Sequence, residues 1–247
     1  MKKVLKWIVR LVLGFVLLAI LGFAVLYFMY NEELPQGKTG KEAEQLAEQL
    51  TKAINKEAWD STRYVQWSFR GAHDFWWDKE AGMVEVKWGN KRVLLNHNTL
   101  EGKVYVDGNL ITENAYPHIE KAYSYFINDA FWLNAPAQMV REGVEKRVVD
   151  LEDGTKGLLI TYNSGGVTPG DSYLWMFNED GTPKSWKMWV GIIPIGGLEA
   201  SWADWKTLST GAKVATTHKI LFFSIPIGNL KAGMTLEDMG VEKSPFE

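Results

Sequence analysis

An α+β architecture is predicted: an N-terminal transmembrane helix, then one mostly antiparallel β domain of about eleven strands with a few helices. Three observations predict it. The stretch from Leu11 to Tyr30 carries no charge. From Tyr64 onward, apolar residues alternate with a period of two in short runs separated by Gly, Asn and Asp, which is the pattern of strands joined by tight turns. Two stretches, residues 41–57 and the region after Pro117, instead carry apolar residues at helical spacing.

The first element is LVLGFVLLAILGFAVLYFMY, residues 11–30. At ~1.5 Å per residue it is ~30 Å long as a helix, the thickness of the hydrocarbon core. Trp7 lies at one end and Tyr27 and Tyr30 at the other, where interfacial aromatics belong. Lys2, Lys3, Lys6 and Arg10 precede the run, and Glu32 and Glu33 follow it, so residues 1–10 are expected in the cytoplasm. A cleaved signal peptide would have an apolar region of about 7–15 residues and small residues at the cleavage point. This run is longer and ends in Phe28, Met29 and Tyr30, which favours an uncleaved anchor. The expectation is a single-pass protein of a bacterial inner membrane with its domain, residues 41–247, in the periplasm.

Composition narrows the function. The chain has 247 residues and no cysteine, which excludes disulfides, Cys-ligated metals, a thiol nucleophile and a lipid-modified N-terminal Cys. Four of its 27 basic residues precede the anchor, leaving 23 against 30 acidic ones, a net charge of −7 for the rest. A nucleic-acid binder would need a basic face, and docking on anionic lipid by charge alone is disfavoured for the same reason.

Residues 31–40 form a short polar linker with Pro35, Gly37 and Gly40. Thr39 and Glu42 have the form of a capping box. Ala43, Leu46, Ala47, Leu50 and Ile54 then mark an amphipathic helix over 41–57 that packs on a sheet. Strands are expected at Tyr64–Phe69, His73–Asp78, Met83–Trp88, Lys91–Asn96 and Lys103–Val106, with Gly82, Gly89-Asn90, Gly102 and Asp107-Gly108 at the turns. A second helix carries Ile119, Ala122, Tyr123, Phe126, Ile127, Ala130 and Phe131 on one face. Pro117 suits its first turn and Pro136 lies beyond its end. Six further strands are expected at Val144–Leu151, Gly157–Asn163, Ser172–Asn178, Lys184–Val190, Leu198–Trp202 and Lys213–Phe223. The segment from Phe222 to Ile227 and the polar tail to Glu247 are expected to run as an irregular cover.

Tryptophan is the compositional outlier, with eleven of twelve in the domain. Adjacent strand residues face opposite sides, so Trp76 and Trp77 cannot share one core. The functional reading is an apolar groove lined by aromatics; the alternative is that the extra Trp only covers a large sheet.

The order of helix, aromatic strands, central helix and further antiparallel strands over residues 41–225 resembles the lipoprotein-carrier superfamily (LolA/LolB-like, with RseB-like sensors as relatives). That resemblance implies a strongly curved sheet, a half-barrel wrapped around helices, with a concavity that holds acyl chains. WSFRGAHDFWWD (67–78), NDAFWLNAP (128–136), GGVTPGDSYLW (165–175) and PKSWKMWVGIIPIGGLEASWADW (183–205) are also similar to a group of uncharacterised exported proteins of Bacteroidetes-type bacteria. Such carriers are released into the periplasm or anchored through a lipidated Cys. A helical tether and no Cys argue against a freely diffusing shuttle.

No catalytic or metal signature accompanies this pattern. His73, His97, His118 and His218 form neither H-x-x-x-H nor H-E-x-x-H. His73-Asp74 and Asp78 read as a polar cluster of a strand or turn. Asp171-Ser172 and His218 lack a nucleophile elbow. Glu152-Asp153 and Glu179-Asp180 sit at hairpin turns. The loop Gly165–Asp171 lacks the Lys of a phosphate loop, and Asp171 is expected to bond backbone amides within it. The apolar loop Gly191–Gly197 is a contact patch if exposed and a chain reversal if buried.

The expected function is therefore non-catalytic binding of a hydrophobic ligand, a lipid or the acyl chain of an acylated protein. No cofactor, metal or nucleic acid is expected. The groove is expected to use Trp67, Phe69, Trp76, Trp88, Trp175, Trp186 and Trp189, with Asp171, Thr168 and His73 at its rim. A filled interior without a groove above about 300 Å³ would instead favour a structural or sensing protein acting through protein contacts. An enzyme would need His73, Asp78, Asp171 or His218 to converge.

Overall fold

The computed structural model describes residues 2–164 and 168–247. Helix α1 spans Lys2–Tyr30, α2 Lys41–Ala53 and α3 Lys56–Ser61. Strands β1 to β6 cover Tyr64–Phe69, His73–Asp78, Met83–Trp88, Lys91–Asn96, Gly102–Val106 and Asn109–Ile111. Helix α4, Tyr116–Asn134, follows and runs into a 3₁₀ turn, Ala135–Gln138. Strands β7 to β14 are Val144–Asp150, Lys156–Tyr162, Ser172–Phe177, Pro183–Trp189, Leu198–Ser201, Ala203–Thr207, Lys213–Ile220 and Phe223–Gly233. Helix α1 is long and apolar enough to cross a membrane.

Among the described residues, all fourteen strands belong to one antiparallel sheet in the order β6-β5-β4-β3-β2-β1-β14-β13-β11-β10-β9-β8-β7, with β12 beside β13. The eleven expected strands are present, and three were missed. β6 has only three residues. β12 follows a break at Trp202 and is itself irregular, with Asp204 at a left-handed φ of 53°. The third miss matters most. Phe223–Gly233 is not an irregular cover but the strand that joins the two halves of the sheet, pairing with β1 on one side and β13 on the other. Pro226, Gly228 and Gly233 disguise it, since Pro and Gly are depleted from strand interiors. They are accommodated because β14 is bulged, with Asn229 at φ 50°, and because the Pro226 carbonyl accepts from Arg70 N at 2.9 Å.

The sheet curves around α4. This helix packs on β3, β4, β5 and β13, and its Phe131 ring lies 5.4 Å from Tyr162 on β8. Ten strand-to-strand steps separate β5 from β8, ~48 Å if laid flat. A 19-residue helix is only ~28 Å long, so the sheet must bend to bring both ends onto it.

Helix α2 buries Ala43, Ala47 and Leu50, the stripe its spacing predicted. Two local expectations fail here. The helix stops at Ala53 because Asn55 adopts φ 53° and caps α3, accepting from Ala58 N. No capping box forms at Thr39: the N-cap is Gly40 without a side-chain bond, and Glu42 bonds Lys156 on β8 instead.

The two faces of the sheet are now distinct. The inner face carries Val65, Trp67, Phe75, Trp77, Val84 and Val86 from one half and Leu158, Ile160, Trp175 and Trp186 from the other, in one core with α2 and α4. On the outer face, Tyr64 and Trp76 pack under the C-terminal segment with Met239 and Phe246. The tail beyond Gly233 is thus the irregular cover that was expected of it. The linker reaches the edge of the sheet, where Lys38 bridges Val148 of β7.

Candidate functional site

The candidate site is a cavity of about 390 Å³ between α4 and strands β8 to β10. It exceeds the ~300 Å³ lower bound of small-molecule sites. Alternation along three strands builds one wall. Tyr162, Tyr173, Trp186 and Met188 share the inner face, since Tyr173 lies opposite Met188 and Trp186 opposite Trp175. Helical spacing builds the other, where Phe126, Ile127, Ala130, Phe131 and Asn134 of α4 face the same space. Trp77 and His97 close the inner end.

Trp186 is the centre of this wall. Its ring is stacked on Phe131 at 5.6 Å, meets Trp132 edge-on at 5.2 Å and is tilted against Tyr173 at 4.6 Å. Trp175 and Trp202 back it at 4.7 and 5.0 Å. Such edge and offset contacts fix ring orientation, so the wall is rigid. Trp175 and Trp202 thus form a backing layer and do not line the cavity.

Four buried polar atoms on the wall have no protein partner: Trp77 Nε1, His97 Nε2, Tyr162 Oη and Trp186 Nε1. Burying a polar group unpaired costs roughly 1–3 kcal/mol; Trp67, Trp175, Trp202 and His218 carry such atoms in the core as well. Burial pushes the Tyr162 and Tyr173 hydroxyls well above the usual phenol range and lowers His97. Apart from Arg141 and Asp171 at the mouth, the lining residues are uncharged at neutral pH.

The mouth is formed by loops at one end of the strands. Asp171 ties two of them together: its Oδ1 accepts from Gly191 N at 2.8 Å and its Oδ2 from Thr168 Oγ1 at 2.5 Å. The bond to Gly191 reaches a neighbouring loop, where an amide of its own loop was expected. Gly165, Gly166 and Val167 of that loop lie outside the described residues. Ile192 is exposed and Ile193 half-buried at the same rim. Arg141 completes it, with its guanidinium 5.2 Å from the Tyr162 ring and donating to Gln138 Oε1.

The sequence-derived site is therefore split. Trp186 lines the cavity, and Asp171 and Thr168 hold its mouth. Trp67, Phe69 and Trp175 are buried in the core on the inner face, and Trp88 packs on Tyr125. Trp76 and Trp189 lie on the outer face, since each is an odd number of residues from an inward Trp on its own strand. His73 is not at the rim. It bonds Asp129 of α4 at 2.6 Å and stacks on Tyr125 at 3.8 Å; burial raises the Asp129 pKa to about 6 against the pull of His73. The lining residues from α4 were missed because a helix face over a cavity and one over a core have the same periodicity.

The groups a catalytic site would need are held apart. His73 bonds Asp129, Asp78 bonds Arg63, Asp171 braces loops, and His218 bonds the Ser201 carbonyl at 3.0 Å beneath Trp202. Asp153 and Asp180 cap their turns through Thr155 and Thr182. Among the described residues no group of three metal-ligating side chains occurs.

No family model and no curated protein matches this chain. Among the solved structures similar to it at low identity are two that cover most of the chain. One is a DUF1329 family protein from Desulfovibrio piger, 12% identical, covering 84% of this chain and 98% of its own, at a TM-score of 0.45. The other is a candidate outer membrane lipoprotein-sorting protein domain from Vibrio parahaemolyticus, 10% identical, covering 81% of this chain and 97% of its own, at a TM-score of 0.33.

Proposed function

We propose that the domain binds, without chemical change, a single acyl chain of a lipid or an acylated protein in the cavity between α4 and β8–β10. One observation carries this reading: a space of about 390 Å³ walled by Phe126, Phe131, Tyr173 and Trp186 and open at one end. A close-packed core leaves few voids larger than a water molecule, so a gap of this size beside so many large side chains points to an occupant. The volume is at the low end for ligand sites, which suits one chain rather than several. A chain of about a dozen carbons contributes ~10 kcal/mol by burial before ordering costs are subtracted.

Arg141 at the mouth suits a carboxylate or phosphate. Trp186 belongs to the apolar wall in this reading, with Asp171 and Thr168 holding the rim. The remaining sequence-derived Trp residues support the wall or cover the outer face. Helix α1 would cross the inner membrane with residues 1–10 in the cytoplasm and hold the domain in the periplasm. Protease added to intact spheroplasts should then digest the domain; protection would reject that topology.

Trp fluorescence tests the binding. A fatty acid carrying a nitroxide on its chain should quench emission saturably, because Trp132 and Trp186 border the cavity. Quenching equal to that by the same nitroxide free in solution would reject the reading.

A further inference from the structure

Beyond the cavity, a group of exposed apolar side chains lies at one end of the sheet. Phe222 is 81% exposed, Ile192 72% and Phe223 56%, with Leu221 beside them at 41%. Two turns carry them. Ile220 lies opposite Ala200 and Met188 opposite Leu198, so the β13–β14 turn and the β10–β11 loop project past the same strand ends. Leu221 holds a left-handed φ of 52°, a conformation that Gly or Asn adopts more readily. The turn therefore spends backbone strain while presenting three large apolar side chains to the exterior.

Helix α1 ends at this same edge. Asn31 Oδ1 accepts from Gly196 N at 2.9 Å, and Glu32 N donates to Gly196 O at 2.9 Å. Met29 and Tyr30 share a depression with Lys219 and Leu221. The loop that receives Glu32 at Gly196 is the one that brings Ile192 and Ile193 to the cavity mouth.

We propose that the Leu221–Phe223 turn and Ile192 are seated in the leaflet from which α1 emerges, so that the cavity mouth opens onto lipid. Continuity of the chain selects this occupant. Glu32 is bonded to the domain two residues after the helix ends, and two residues span at most ~7 Å, so this edge is held at headgroup depth. Apolar side chains without polar atoms suit the acyl boundary, and Lys219 beside them suits a lipid phosphate. The net negative domain does not oppose this, because the seat is apolar. The seat stands whatever the cavity holds. The consequence that a chain enters from the leaflet without crossing water rests on the acyl-chain reading.

The absence of cysteine makes the test direct. Full-length protein carrying Phe222→Cys or Ile192→Cys, or Glu179→Cys at the far end of the strands, is labelled with an environment-sensitive fluorophore. Each is reconstituted into phosphatidylcholine vesicles containing nitroxide-labelled lipid. The labels at the first two positions should shift to the blue and be quenched several-fold more than the label at the third. Equal quenching at all three overturns the seat. A blue shift without quenching also overturns it, since the turn would then face a second protein. Phe222→Ser tests the route: it should slow fatty-acid uptake from vesicles several-fold while leaving binding in detergent micelles unchanged, and unaltered uptake from vesicles overturns leaflet entry. The micelle measurement keeps a failure of the seat distinct from a failure of the cavity reading.

Discussion

Trp189 donates its indole N–H to the backbone carbonyl of Glu32 at 2.8 Å. With Lys187 bonded to the Glu32 carboxylate at 2.6 Å, this fastens the end of α1 to the outer face of β10. The exposed ion pair alone is worth under ~1 kcal/mol, so close approach must supply the rest. Gly196 and Gly197 permit it: a Cβ on Gly196 would come within 2.6 Å of Trp189 and 2.8 Å of the Glu32 carbonyl. Gly196→Val is expected to free the linker. Limited proteolysis should then cut between residues 31 and 37 several-fold faster, with the domain's own unfolding midpoint little changed.

Ile227 lies opposite Phe69 across the β1–β14 pair and is 5% exposed. If β14 is the strand that joins both halves, Ile227→Ala removes packing from the centre of the molecule. A loss of ~2–4 kcal/mol is expected from urea denaturation. A peripheral segment would lose well under ~1 kcal/mol.

His218 is fully buried, and desolvation pushes its pKa down to about 4 despite its bond to the Ser201 carbonyl. In the unfolded chain a histidine titrates near ~6.5. Its contribution to stability is therefore complete above ~6.5 and is lost as the pH falls toward about 4. Between pH 7 and 5 the protein should lose ~2 kcal/mol through this group. His218→Gln should show correspondingly less acid sensitivity in urea denaturation at the two pH values, whatever its stability at pH 7.

Arg141 is exposed at the mouth, where it donates to the neutral amide of Gln138. Arg141→Gln should weaken a fatty-acid anion about fivefold, the ~1 kcal/mol of a solvent-screened pair. It should leave the neutral monoacylglycerol of the same chain length unaffected. Equal weakening of both would place the headgroup elsewhere.

Much of this was legible in the residues. Period-two alternation located eleven strands, and the adjacency of Trp76 and Trp77 required them to part. Trp77 indeed faces Phe126 at 5.1 Å on the inner side, while Trp76 meets Tyr64 at 4.9 Å and Phe246 at 5.6 Å on the other. The same parity separates Trp186 from Trp189, three residues apart on one strand, and that signal was available but unused. What could not be read was long-range. Pro226 and Gly228 concealed β14 because its bulge and its partner β1 lie some 160 residues apart in the chain. The cavity was hidden because whether α4 touches or only approaches Trp186 depends on how far the sheet bends.

The most direct test of the cavity's role is native mass spectrometry of the full-length protein released from detergent, beside the variant Ile127→Trp. Ile127 is a half-buried lining residue, so the added indole should fill the space with little strain. The expected result is one bound acyl-chain amphiphile per chain, retained by the native protein and lost by the folded variant. A native protein that holds none, or a variant that binds as well, would contradict it.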